Sequence, residues 1–418
     1  MDNQKLCHRC GNERKESQPL CNTEFCPLAS IARETMQLYY FKPQQLDLLS
    51  TGPMNLGIEG PAGTGKTLVM TLKILYLVKE ESNFNILFFA PSPHHLRCKI
   101  FLEDNDVDVR LTEKFPLQPL DVRDRKDVTK PTVRVINLDN FADFCKDYTG
   151  SKRMDALHEH VFVDDLQSIN THGEEVMKDT VKRFSEICDM KHADTYMWLA
   201  FDPIQRDAAR SNYLKEQLQD HFNRLAVCRL QEVLRNSQPI IEVINAQYTE
   251  RSSIYSVKQA VPIGKDGHTI NGPMVDCYML TGPLDHLIHE RYLKEMLNEI
   301  MSHWPQVPTA VLYFAREEDA AEKNSAILHE LGKNIIDIKT FYRQRNKLLP
   351  SQIICDSREH LASFEIPLVI FVSRGLYSNN YIMCSRARSK LVYIQLYANS
   401  NHIDEGKKWY PNARFIIS

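Results

Sequence analysis

No stretch of this chain approaches the ~20 consecutive apolar residues of a membrane-spanning helix. Its opening Met-Asp-Asn-Gln-Lys has no apolar signal-peptide core, so an intracellular protein, cytosolic or nuclear, is expected, with no membrane partner. Net charge is nearly absent: 51 basic against 54 acidic side chains leave −3. That rules out a globally basic nucleic-acid binder but leaves room for a local basic groove. There is no internal repeat of 20 to 50 residues and no low-complexity tract, which sets aside solenoid arrays. A disulfide framework is also set aside, because eleven cysteines in a reducing compartment are expected to stay reduced.

What remains is an ordinary globular composition, 43% hydrophobic and 25% charged over 418 residues, enough for two or three domains. Seven cysteines are scattered singly and read as small buried hydrophobes. The other four, Cys7, Cys10, Cys21 and Cys26, crowd the first thirty residues with spacings x2, x10 and x4. So short a segment buries too little apolar surface to fold alone, and a tetrahedral zinc site would supply the missing free energy. Residues 1–38 are therefore expected to form a four-cysteine zinc segment; free thiols in a mobile tail are the alternative.

Gly60-Pro61-Ala62-Gly63-Thr64-Gly65-Lys66-Thr67 follows a short apolar stretch and opens a run of helical spacing through Leu68, Leu72, Leu75 and Val78. Glycines let backbone N–H groups turn toward phosphates, and the helix N-terminus adds partial positive charge. Lys66 is placed to reach the terminal phosphates and the Thr67 hydroxyl to ligate Mg²⁺. A nucleoside triphosphate, ATP, is the expected ligand.

Apolar strands alternate with helical stretches over 39–255, with strand candidates Leu56–Ile58, Ile86–Phe89, Val133–Leu138, Val161–Val163 and Tyr196–Phe201. The pattern fades at Ile254–Asn271. It resumes over 256–418 with Val275–Leu280, Ala310–Phe314, Leu368–Val372 and Leu391–Leu396, without a second phosphate loop. An α/β protein of two parallel-sheet domains is expected. Its sites should lie at the carboxyl ends of strands. Val161-Phe-Val delivers Asp164, suited to hold Mg²⁺, then Asp165, suited to orient or deprotonate a water, then Gln167. Phe201-Asp-Pro-Ile-Gln205 places an amide for sensing a γ-phosphate. Arg235 and, before the last strong strand, Ser385-Arg386-Ala-Arg388 supply guanidinium groups; Arg386 fits an arginine finger.

In this order these segments resemble the motifs of superfamily 1 helicases, over about residues 40–418. The resemblance implies two tandem RecA-like domains. It implies that Gln45 reads adenine and that Gly60–Thr67 cradles phosphates. Asp165, Gln205, Arg235 and Arg386 would serve hydrolysis, with Glu365 in a partly preserved ribose motif. Val233-Leu-Arg-Asn-Ser-Gln-Pro-Ile and Gly267–Pro273 are most similar to the Schlafen group 3 helicase domain, a module tied to nucleic acid. Three departures stand out: Asp165 for a glutamate, Leu234 for an adenine-stacking tyrosine, and Ala362-Ser363 for Lys-Gly.

Three readings follow: an ATP-dependent motor on single-stranded DNA or RNA, an ATP-gated regulatory module with slow hydrolysis, or an inactive descendant keeping ATP as a structural ligand. A protein partner docked by the zinc segment suits the second. Phe88, Phe89, Phe141, Tyr313 and Phe314 are either stacking platforms or core. Lys42, Arg97 with Lys99, and Arg343, Arg345 with Lys347 are weak basic patches.

Overall fold

The computed structural model describes residues 5–6, 13–14, 43–80, 85–112, 132–150, 159–169, 174–191, 193–202, 226–233, 236–254, 272–281, 286–313, 320–349, 351–357, 360–361, 364–373, 381–410 and 412–417. Two compact units are built from them. The first is Met1–Gly60 with Gly65–Leu230, the second Gln231–Ser418 together with Pro61–Thr64.

The first unit begins with an antiparallel pair, β1 (Lys5–Leu6) and β2 (Glu13–Arg14). The expected zinc ligands Cys7, Cys10, Cys21 and Cys26 lie outside the described residues. Seven parallel strands follow: β3 (Asn55–Glu59), β4 (Ile86–Ala90), β5 (Val109–Thr112), β6 (Val133–Asn137), β7 (His160–Val163), β8 (Met197–Phe201) and β9 (Ala226–Arg229). Their order in the sheet is β5-β6-β4-β7-β8-β3-β9. Side chains alternate across a strand, and the burial follows: Ile86, Phe88 and Ala90 enter one core, Leu87 and Phe89 the other. The first core is covered by α1 (Pro43–Thr51), α2 (Lys66–Glu80) and α3 (His94–Glu103), the second by α4 (Phe141–Gly150) and α5 (Glu174–Met190). Phe88, Phe89 and Phe141 are thereby core residues, not stacking platforms.

Helix α2 is buried almost all round, including Lys73. That ammonium donates to the Leu49 carbonyl at 3.2 Å and lies over the rings of Tyr76, Tyr196 and Trp198 at 5.1, 4.6 and 5.6 Å. A buried cation needs such partners, since desolvation alone would disfavour its charged form.

The second unit holds β10 (Asp276–Thr281), β11 (Thr309–Tyr313), β12 (Asn334–Ile336), β13 (Gln352–Ser357), β14 (Ile366–Ser373), β15 (Ala387–Ala398) and β16 (Arg414–Ile417), again all parallel, in the order β12-β13-β11-β14-β15-β10-β16. With strands numbered in chain order within each seven-stranded sheet, both sheets read 3-4-2-5-6-1-7. The units therefore share one topology, although neither the sequence period nor a second phosphate loop betrays it. Helices α6 (Gln238–Ile254), α7 (His286–His303), α8 (Ala320–Glu330), α9 (Ile338–Arg343), α10 (Tyr381–Cys384) and α11 (Ser400–Trp409) complete it. Sequence periodicity assigned α6 to residues 39–255, but it packs on β15, α10 and α11 and belongs to the second unit. Among the described residues no helix is long and apolar enough to cross a membrane. Of the scattered cysteines, Cys98, Cys145, Cys188, Cys277 and Cys384 are buried; Cys228 and Cys355 are partly so.

Candidate nucleotide-binding site

Strand order puts the carboxyl ends of β3, β8, β7 and β4 side by side, and each delivers polar residues there. After β3, whose Glu59 is paired with Arg229 at 3.0 Å, the chain turns through Gly60–Gly65 into α2. Gly63 and Gly65 have φ of 86° and 85°, a left-handed backbone that side chains resist. A Cβ on Gly65 would also meet Gln45 Nε2 at 2.7 Å, so the amide of Gln45, buried on α1, lies directly against the loop. Thr64 Oγ1 donates to the Pro61 carbonyl at 2.9 Å. The Lys66 ammonium, buried, folds back to donate to the Gly60 carbonyl at 2.8 Å, and the first amides of α2 face the same turn.

Beyond β7, Asp164 is fully buried; its N–H donates to the Phe89 carbonyl at 2.8 Å, fixing its place beside β4. Its Oδ2 accepts from Thr67 Oγ1 at 2.7 Å and lies 3.3 Å from His94 Nε2. Its Oδ1 is buried and makes no hydrogen bond among the described residues. A hydroxyl and a carboxylate side by side, with one carboxylate oxygen left over, are a hard-oxygen donor set suited to Mg²⁺. The residues expected for the metal, Thr67 and Asp164, thus stand together and fit it.

Asp165 adopts φ 50° and ψ 47°, which turns the chain into a 3₁₀ turn at Leu166–Ser168. Gln167 bridges two strands: its Nε2 donates to Asp165 Oδ1 at 3.1 Å, and its Oε1 accepts the Asp202 N–H at 3.0 Å. This bridge, not visible in the sequence, fixes the shorter carboxylate against the end of β8. Gln205 lies outside the described residues.

Arg235 is also outside them, but the next residues are described. Buried Asn236 donates through Nδ2 to the carbonyls of Ser385, at 3.0 Å, and Ala387, while Ser237 N–H donates to the Arg388 carbonyl at 2.8 Å. The segments carrying Arg235 and Arg386 are thus tied together inside the second unit. Sequence reasoning passed over Asn236, which makes the tie. Arg386 is only 2% exposed; its Nε donates to the Ile382 carbonyl at 3.1 Å and its Nη1 points at the Phe364 carbonyl. Glu365, expected near a ribose, accepts from Arg388 Nη2 at 2.7 Å. Of that motif, Glu359, Ala362 and Ser363 lie outside the described residues.

No protein-family profile matches the chain, and no curated protein does. Solved structures do. A point variant of S. cerevisiae Dbp5 bound to Nup159, Gle1, IP6 and ADP has a TM-score of 0.54 at 14% identity, with 94% of each chain covered. Mss116p bound to ssRNA and AMP-PNP scores 0.58 at 11% identity, over 94% of this chain and 77% of that one. The DUF1998 helicase MrfA bound to DNA scores 0.60 at 13% identity, over 96% of this chain and 56% of that one. The fold is that of two tandem RecA-like domains, and the sequence carries one phosphate loop, Gly60–Thr67.

Proposed function

We propose that this chain binds and hydrolyses ATP as a helicase-like protein acting on single-stranded RNA or DNA. The observation that carries this reading is the Thr67–Asp164 hydrogen bond beside a complete phosphate loop, with Asp164 Oδ1 left for a metal. Gly60–Thr67 would hold the phosphates, with the Lys66 ammonium leaving the Gly60 carbonyl for the terminal oxygens. Gln45, which lies against Gly65, would meet the base. Thr67 and Asp164 would hold Mg²⁺, which would offset the charge on the phosphates. Asp165, steadied by Gln167, would orient or deprotonate the attacking water. Gln205, Arg235 and Arg386 are assigned to sensing and stabilising the γ-phosphate, and Glu365 to the ribose. Nucleic acid is proposed as partner because MrfA and Mss116p were captured with DNA and ssRNA.

Kinship to the Schlafen group 3 helicase domain, zinc on Cys7, Cys10, Cys21 and Cys26, and a protein partner docked there complete the proposal. Three parts are assigned: residues 1–38, a first lobe with the loop, and a second lobe. A second reading, a slow ATP-gated switch without unwinding, is favoured by Asp165, one methylene shorter than a glutamate and already engaged by Gln167. A placement error of about 1 Å can cost about 100-fold in rate. ATP turnover with and without single-stranded RNA and DNA separates them. Stimulated turnover with strand separation supports the motor. Slow, unstimulated turnover supports the switch, and none at all with ATP bound leaves only a structural ligand.

A further inference from the structure

His94 begins α3 immediately after the β4 loop, and its ring is buried. Nε2 lies 3.3 Å from Asp164 Oδ2 and 3.2 Å from Cys98 Sγ, one helical turn further on. Nδ1 is buried and makes no hydrogen bond among the described residues. The carboxylate contact and the unmet Nδ1 favour one tautomer, in which Cys98 Sγ is a weak acceptor beside the same N–H. A proton on Nδ1 would leave a buried donor unmet and turn the Nε2 lone pair toward a carboxylate oxygen, setting two acceptors against each other. With the proton on Nε2, the ring donates to Asp164 and only an acceptor is left unpaired, the less costly arrangement. Burial, then the Asp164 charge, pushes the Cys98 thiol well above its ordinary value, so it stays S–H and brings no charge to the site.

We infer that His94 is a positioning residue for the metal-binding carboxylate. By donating to Oδ2 together with Thr67, it fixes the Asp164 carboxylate in one rotation and presents Oδ1 to the cation. Thr67 alone would hold one oxygen but leave the plane of the carboxylate free to turn. Partners that orient a ligand's far side commonly govern metal affinity by about 10–100-fold. The inference rests on the nucleotide-binding reading above.

The test uses the full chain and three proteins: wild type, His94→Leu, which keeps the apolar volume but removes the donor, and His94→Gln, whose side-chain amide N–H reaches to about where Nε2 lies. Binding of a fluorescent ADP in EDTA should be equal in all three. Mn²⁺ titrated into the ADP complexes, followed by the electron paramagnetic resonance of free Mn²⁺, should bind His94→Leu about 10–100-fold more weakly. His94→Gln should recover most of that loss. Unchanged Mn²⁺ affinity in His94→Leu, or a loss in His94→Gln as large as in His94→Leu, overturns the positioning role while nucleotide binding stands. If the wild type binds no ADP in EDTA or with Mn²⁺, the nucleotide reading falls and the positioning role with it.

Discussion

Two buried side chains show how individual residues carry measurable consequences. His160, on β7, accepts the Tyr196 N–H through Nδ1 at 3.0 Å. Burial first, then the Lys73 and Lys191 charges, push its imidazole down from 6.5 to about 4. A depressed folded value means the neutral ring is favoured in the fold. The stability it contributes is present above pH 6.5 and is lost as pH falls toward 4, by up to about 3 kcal/mol. Urea melts between pH 7 and 4 should show that loss, and His160→Asn, whose side-chain oxygen reaches to about where Nδ1 lies and does not titrate, should flatten this part of it. The other residue is Asp165. If its short carboxylate limits hydrolysis, Asp165→Glu should raise ATP turnover several-fold, which supports the slow switch. A fall would mean that the bridge to Gln167 has matched the site to aspartate. The pattern of the sequence singles out Gly60–Thr67 and Asp164, and the resemblance singles out Gln45; in the structure Thr67 is hydrogen-bonded to Asp164 and Gln45 lies against Gly65. His94 and Asn236 were not singled out, and Gln167 was named without its partners, because each makes a contact across the fold that no local pattern encodes.

Elements were read well where burial is two-sided. Strands β3, β4, β6, β7, β8, β10, β11, β14 and β15 each overlap an apolar run of the sequence. Those missed were mostly edges or near-edges. β5 (Val-Arg-Leu-Thr) and β9 (Ala-Val-Cys-Arg) are partly exposed and mix charge with apolar residues, and β16 (Arg-Phe-Ile-Ile) is an outer strand. Helix α6 shows another failure. Its type is evident, but its allegiance depends on which core accepts Ile240, Ile241, Val243 and Ile244, all buried. Each such side chain contributes about 1.5–3 kcal/mol on burial. A fragment of residues 231–418 should therefore melt cooperatively and show dispersed NMR amide signals, whereas 256–418, stripped of α6, should not. Equal folding of both would return α6 to the first lobe.

Across the whole molecule, one topology is used twice, but only the first copy follows its leading strand with a phosphate loop. Within the second unit, Asn236 ties its own segment to the one that carries Arg386. The cysteine segment stands apart from both cores in sequence. Four thiolates there should give one zinc per chain by elemental analysis of purified protein. Cys7→Ser with Cys10→Ser should lose the metal yet leave the melting of both units unchanged. Zinc-free purified protein would remove that part of the proposal.

The most direct test of the central claim, that Gly60–Thr67 holds ATP, is an equilibrium titration of ATP into wild type and Lys66→Ala. In the proposed site the Lys66 ammonium would meet the terminal phosphates, and charge-assisted contacts of that kind are worth about 1.5–3 kcal/mol. Lys66→Ala should weaken ATP at least about tenfold while its melting without nucleotide stays close to that of wild type. Unchanged ATP affinity in that variant would contradict the account.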